Sequence, residues 1–238
     1  MIVGPGEADR HLDLVLGRAS KWADTLLAVA DHVDERTEAM LQRELKLGTS
    51  EAEGNAVDVW WSNGAAPSFR QDESYVRNAL MRLCDKHLDT GDLVVVLDAD
   101  EELLAPQNGP QAVNLRTVLG DLAALPAEAF SATFYHLWDA AGETYRTDGA
   151  WWPAPQFRIY KHDQGARIQQ RRMACKAIPE SALPRAHTRL RVAHWGYAHE
   201  EDRIAKYRRY VRLDGGQYHS LAHIESILAA ASREPFVR

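Results

Sequence analysis

The residues best equipped for chemistry stand together in Gly91-Asp92-Leu93-Val94-Val95-Val96-Leu97-Asp98-Ala99-Asp100-Glu101-Glu102. Four carboxylates fall within five positions, directly behind an apolar run rich in valine. So many negative charges at the end of an apolar run repel one another unless a cation sits among them. The Gly-Asp turn signal and the run after it predict a strand buried on both faces. In open α/β sheets the carboxyl end of such a strand is where ligands bind. Asp98 and Asp100 alternate across that end, so one can face a cation while the other fixes a ribose or a water. Hard oxygen ligands of this kind suit Mg²⁺ or Mn²⁺, usually shared with substrate phosphates. The plainer reading is that Asp98 caps the next segment and the other acids are solvated loop residues, because Asp-x-Asp alone is a short pattern.

The elements that must hold this stretch follow from hydrophobic spacing. Ile2-Val3 predicts a strand stopped by Gly4-Pro5-Gly6, and Leu12, Val15, Leu16 and Ala19 recur at helical intervals. Leu26 to Ala30 predicts a second buried strand ending at Asp31, followed by a helix carrying Ala39, Met40 and Leu45. Val57 to Trp61 predicts a third strand, and the Ser62 to Pro67 stretch a loop. Asp72 or Ser74 can cap a helix with Val76, Leu80, Leu83 and Leu88 on one side. This alternation predicts a mainly parallel sheet with covering helices. Beyond it the spacing predicts a loop at Pro106, Gly109 and Pro110, and an Ala/Leu-rich helix ending near Pro126. Strands are expected over 129–138, 156–161 and 191–197, and closing helices over 200–213 and 218–231.

The 238 residues suit one sizeable domain, 45% hydrophobic and 26% charged. A net charge of −6 argues against nucleic acid as the main partner. Cys84 and Cys175 form no Cys-x-x-Cys pair, which fits a reducing compartment and no structural zinc. No apolar run reaches the roughly 20 residues of a membrane span, and the first residues lack the basic-then-apolar order of a signal peptide. The expectation is a cytoplasmic enzyme-sized domain.

The order of Gly4-Pro5-Gly6-Glu7, Asp31, Asp72-Glu73-Ser74-Tyr75-Val76-Arg77-Asn78, Leu97-Asp98-Ala99-Asp100-Glu101, Val192-Ala193-His194-Trp195-Gly196-Tyr197 and Lys206 resembles that of family 2 glycosyltransferases. The resemblance covers most of the chain and rests on the ordered combination of short motifs. It implies a GT-A-like, Rossmann-like α/β fold, with a nucleotide-sugar-binding half over 1–104, an acceptor-side half over 105–199 and a helical tail over 200–238. This sequence departs from the family where Gly6-Glu7 replaces an Asn-Glu pair. It departs again where Asp31-His32-Val33-Asp34 carries less glycine than usual, and where Cys175-Lys176 falls near the place of a His-Glu pair.

What the resemblance implies is a metal-dependent, inverting transfer from a nucleoside-diphosphate sugar, with a UDP-sugar the favoured donor. The acceptor stays open among glycan, protein, lipid and small molecule. Asp98, Asp100 and His194 would hold Mn²⁺ or Mg²⁺, with His199 the rival of His194. Val3, Gly4, Pro5, Glu7, Asp31, Arg77, Asn78, Asp98, Ala99 and Lys206 would line the donor. Inversion needs a base, for which Asp148 is the candidate and Glu180 and Asp139 its rivals. Trp151, Trp152 and Trp195 could stack on a sugar, although most tryptophans are anchors. Arg203, Arg208, Arg209 and Arg212 are expected on a solvated helix face. Two other classes are weighed against this: a nucleotide-sugar-binding protein without catalysis, and an Asp-x-Asp phosphohydrolase. The latter would carry its motif on the first strand. A nucleotidyltransferase would need a basic loop after that strand, which Gly4-Pro5-Gly6 lacks.

Overall fold

A computed structural model describes residues 1–48, 56–62, 66–69, 71–107, 113–171 and 174–238, with the side chains of 44–48, 56 and 57 outside it. Residues 63–65 of the expected first loop, Gly109 and Pro110 of the second, and the side chain of Leu45 therefore lie outside the described residues.

The chain is a mixed α/β fold with two main sheets. In the first, β1 (Ile2–Val3), β2 (Thr25–Asp31) and β3 (Ala56–Ser62) pair in parallel in that order. Helix α1 (Leu12–Ala19) joins β1 to β2 and buries Leu12, Val15, Leu16 and Ala19, the spacing its sequence predicts. Helix α2 (Glu35–Gly48) joins β2 to β3. Asp34 opens it by accepting from the Thr37 amide at 3.0 Å, and these bonds hold its carboxyl down at about 2. Helix α3 (Glu73–His87) starts where Asp72 accepts from the Tyr75 amide at 3.0 Å. It presses Val76, Leu80 and Met81 against β1 and β2. Burying each such side chain contributes about 1.5–3 kcal/mol.

The second sheet corrects the expectation of a mainly parallel one. Its main path runs β4 (Leu93–Val95), β8 (Ala154–Lys161), β6 (Ala129–His136), β10 (Arg191–His194) and β5 (Glu101–Leu104), and along that path only β6 with β10 runs parallel. The expected long strand before Asp98 is short and half-buried, and it pairs antiparallel with β8. Of the apolar run itself, Val96 and Leu97 beyond it are the buried residues. The segment meets the first sheet through a single parallel bridge between Ile2 and Asp98. The reason is a tight reversal: the Glu101 amide donates to the Asp98 carbonyl at 3.0 Å, and the chain returns as β5. Glu101 and Glu102 are thus strand residues, 1% and 2% exposed, not solvated loop acids.

Helix α4 (Leu115–Ala123) covers the second sheet with Leu119 and Leu122. Strand β10 ends at His194, earlier than the predicted 197, because the chain turns at Trp195 into α5 (Glu200–Leu213). Helix α6 (Leu221–Ser226) is much shorter than predicted. Three short strands went unforeseen: β7 (Thr144–Arg146) and β11 (Arg233–Pro235), which pair with each other, and β9 (Arg185–Ala186), which adds to β6. No described helix is long and apolar enough to cross a membrane.

Candidate functional site

Three adjacent strands bring three side chains into one row. In the registers of β6, β10 and β5, His136 stands beside His194 and His194 beside Glu101. Two of these residues end parallel strands and the third begins an antiparallel one, so all lie at one edge of the sheet. The 98–101 reversal sits at that edge. It is pinned by the Ala99 amide donating to the Ile2 carbonyl at 3.1 Å and the Trp195 amide donating to the Asp100 carbonyl at 2.8 Å. Asp100 Oδ2 lies 3.3 Å from His194 Nε2 and 3.3 Å from Lys206 Nζ, and that ammonium rests 4.4 Å from the centre of the Tyr197 ring. Helix α5 delivers Lys206 because Arg203, one turn earlier, donates to the carbonyls of Tyr197 and Ala198 at 2.7 and 3.1 Å.

The ligand atoms of Asp100, Glu101 and His194 lie within 4.8 Å of one another. Gly196 supplies the space between Asp100, His194 and Lys206. A Cβ there would overlap Lys206 Nζ and Asp100 Oδ2 and come within 2.8 Å of His194 Nε2. Burial resists ionisation of Asp100, but Lys206 and His194 outweigh it and hold the carboxyl well below the usual range. Glu7, in the 3₁₀ turn after β1, behaves in the opposite way. Burial and then the charge of Asp100 push it up to about 7, and among the described residues its buried Oε2 has no hydrogen-bond partner.

Asp98 faces a different group of side chains. It accepts from Arg77 at 3.4 and 3.3 Å and lies 3.8 Å from Arg158 Nη1. Burial works against its charge, and Arg77 followed by Arg158 reverses the outcome, so it titrates below the usual carboxylate range. Arg158 also donates to Glu101 at 2.6 Å. Burial nevertheless pushes Glu101 up to about 7, with Asp98 adding to the effect against Arg158.

The structure brings together Glu7, Asp100, His194 and Lys206, with Asp98 and Arg77 adjoining. It corrects several other expectations. Asp98 is turned to two arginines, and Glu101 takes its place in the ligand group. Asp31 is only 3% exposed, and its carboxylate accepts from the Phe69 amide at 2.8 Å and meets His32 at 3.0 Å, so it anchors the 66–69 loop rather than a ribose. Asn78 is clamped to the backbone of Ile168 in both directions, at 3.0 and 2.8 Å, so its amide ties α3 to the 168 segment. The side chains of Val3 and Ala99 are core, while the space beside Gly4 is open and Pro5 is exposed.

Asp148 accepts from Arg146 at 2.7 and 2.6 Å and from the Ser232 amide at 3.1 Å, and these bonds keep it below the usual range, which makes it a poor base. Asp139 folds the 139–144 turn by accepting from the amides of Glu143 and Thr144, and Glu180 pairs with exposed Lys176 at 2.8 Å. His199 stacks on His11, which in turn stacks on Trp195. Trp151 is core and Trp152 is exposed. Arg208 and Arg212 are exposed as expected, whereas Arg203 caps the turn before α5 and Arg209 lies over Phe69.

Sequence reasoning missed His136, Arg158 and Gly196. An arginine inside the predicted strand 156–161 was the available signal for Arg158, since a buried cation needs an acid opposite it. His136 could be found only from the β6–β10 register. Compared with models of known families and with curated proteins, the chain matches none.

Proposed function

We propose that the chain is a metal-dependent, inverting glycosyltransferase of GT-A-like fold, taking its sugar from a nucleoside diphosphate, a UDP-sugar in particular. The observation that carries this reading is the convergence of Asp100, His194 and Lys206 on the space left by Gly196, at the end of the stretch that bridges to β1. The donor set fits a divalent ion: carboxylate oxygens with one imidazole suit Mn²⁺, and the ligand atoms are close enough to share one ion. Asp100 and His194 would hold it, with Glu101 beside them. When bound, the ion would serve as a Lewis acid toward the departing diphosphate.

The chain's own groups supply the rest of the chemistry. Lys206 adds a fixed positive charge where the leaving group gathers negative charge. His136 sets the orientation of His194 through the 2.9 Å contact between their Nδ1 atoms. Arg77, only 4% exposed, holds Asp98 in place. Glu7, a carboxyl poised at about 7, is the group near Asp100 best suited to take a proton.

Calorimetry with UDP tests the reading. Wild-type protein is expected to bind UDP tightly only with Mn²⁺, and Asp100→Ala to lose that dependence while keeping its circular dichroism spectrum. Unchanged affinity in the variant, or no UDP binding by the wild type, would overturn it. A second reading, a nucleotide-sugar binder without transfer, is favoured by the engagement of Asp148, Asp139 and Glu180 in structural bonds. Mass spectrometry of products from donor and candidate acceptors separates the two, since even slow donor hydrolysis excludes a pure binder. An Asp98-nucleophile phosphohydrolase is disfavoured by the two arginines that hold Asp98.

A further inference from the structure

A cavity of about 280 Å³ lies between α3 and β8, lined by Arg77, Arg158, Lys176 and Arg185 with Phe157 and Cys175 among its walls. Four cationic side chains face it, and among the described residues no carboxylate does. Their charges are only partly answered. Arg77 is held by Glu73 and Asp98, and Lys176 by Glu180. Arg185 donates only to the carbonyl oxygens of Ala182 and Glu180, at 3.2 and 3.4 Å, and has no carboxylate partner among the described residues. Arg158 is 7% exposed, and its buried Nη1 has no hydrogen-bond partner among the described residues, Asp98 standing off at 3.8 Å. A cavity lined by four cationic side chains and no described carboxylate, with the Arg185 charge answered only by carbonyl oxygens, marks a place for a negatively charged oxygen.

We propose that this cavity binds an oxyanion, a phosphoryl or carboxylate group borne by the acceptor substrate. Guanidinium forks match both groups in bidentate geometry, and Arg158 and Arg185 approach from different strands. The volume sets the size. At roughly 30 Å³ per water it has room for a phosphoryl or carboxylate group on a short stem. The position sets the role. Arg77 and Arg158 line the cavity and also hold Asp98, so it shares a wall with the candidate donor site. The oxyanion site stands on these contacts alone; its assignment to the acceptor rests on the glycosyltransferase reading.

The test uses the full chain without nucleotide or divalent metal. Inorganic phosphate and succinate are titrated separately by calorimetry and thermal shift, a ligand of the folded state raising the melting temperature with concentration. One of the two anions is expected to stabilise the wild type, and which one does so distinguishes phosphoryl from carboxylate. Arg185→Gln should weaken that binding at least about tenfold, the order expected for one charge-assisted bond. Lys176→Glu, at an exposed position where folding is not at risk, should weaken it similarly. Lys206→Met should leave it intact. No stabilisation by either anion, indifference to both Arg185→Gln and Lys176→Glu, or loss in Lys206→Met would each overturn the proposal. Because UDP binding is measured separately with Mn²⁺, failure of the donor reading leaves the anion result readable on its own.

Discussion

The Nδ1 atoms of His136 and His194 face each other at 2.9 Å, so one ring donates a proton and the other accepts it. Burial, and then the neighbouring His194, push His136 well below the ordinary imidazole value, so it is neutral at neutral pH. Trp151 and Tyr197 wall it in with ring centres at 5.3 and 5.6 Å. For His194 to offer Nε2 to a cation, its proton must sit on Nδ1 and His136 must accept it. His136→Phe removes that acceptor without touching a ligand. Mn²⁺ affinity, measured by calorimetry, is expected to fall about 10- to 100-fold, and His136→Gln, whose carbonyl can accept, should recover part of it. Unchanged affinity in His136→Phe would reduce His136 to a packing residue.

Gly196 is the second test of the same space. Its missing side chain is what lets Lys206, Asp100 and His194 converge. Gly196→Ala forces at least one of them aside, at a stability cost of about 1–3 kcal/mol for an overpacked position. The larger effect falls on the ligands: Mn²⁺ affinity should drop at least about tenfold, because the methyl group occupies the point of convergence. Urea unfolding and a Mn²⁺ titration read the two effects independently. A stable Gly196→Ala protein with wild-type Mn²⁺ affinity would move the cation elsewhere.

Glu7 gives a pH dependence of known sign. Its folded-state carboxyl titrates at about 7 against 4.5 for a free glutamate. Between these values the folded state holds a proton that the unfolded state has lost, so this group's contribution to stability falls as pH rises from 4.5 to 7 and is level outside that window. The whole fall is at most about 3 kcal/mol. In EDTA-treated protein, Glu7→Gln should make the fall across that window shallower, leaving the share that Glu101, also pushed up to about 7, contributes. A slope identical to that of the wild type would show that Glu7 is solvated and titrates as an ordinary carboxylate.

The sequence announces the first hundred residues well because their strands and helices are specified locally. The buried positions Leu12, Val15, Leu16 and Ala19 follow one helical period, and Asp72 caps where it stands next to α3. The second sheet was poorly legible because its order depends on partners far apart in the chain. Nothing near Glu101 states that β5 will lie against β10, so two acids that look like loop residues become buried strand residues with Arg158 and Arg18 opposite. Short strands such as β7 and β11 exist only through partners distant in the chain: they pair with each other, and Tyr145 of β7 also bridges to Leu137. The Asp100–His194–Lys206 group could be named from spacing and resemblance. The turn of Asp98 toward Arg77 and the alignment of His136 with His194 are tertiary facts with no local signature.

Asp148 separates a structural acid from a chemical one. Its partner Arg146 is 1% exposed, lies over the rings of Trp138 and Trp151 at 4.6 and 5.2 Å, and donates to the Ser226 carbonyl at 2.6 Å. Asp148→Ala leaves that guanidinium without a carboxylate. Breaking a fully buried pair costs roughly 3–5 kcal/mol. Because the Asp148 side chain is 36% exposed, water can partly replace it, and about 2–3 kcal/mol is expected. The β7–β11 pairing should loosen too, since Asp148 also accepts from the Ser232 amide next to β11. Urea unfolding checks the loss, and UDP affinity with Mn²⁺ should remain that of the wild type. A catalytic base would give the reverse pattern, with stability kept and turnover abolished. That outcome would return Asp148 to the role its place in the sequence suggested.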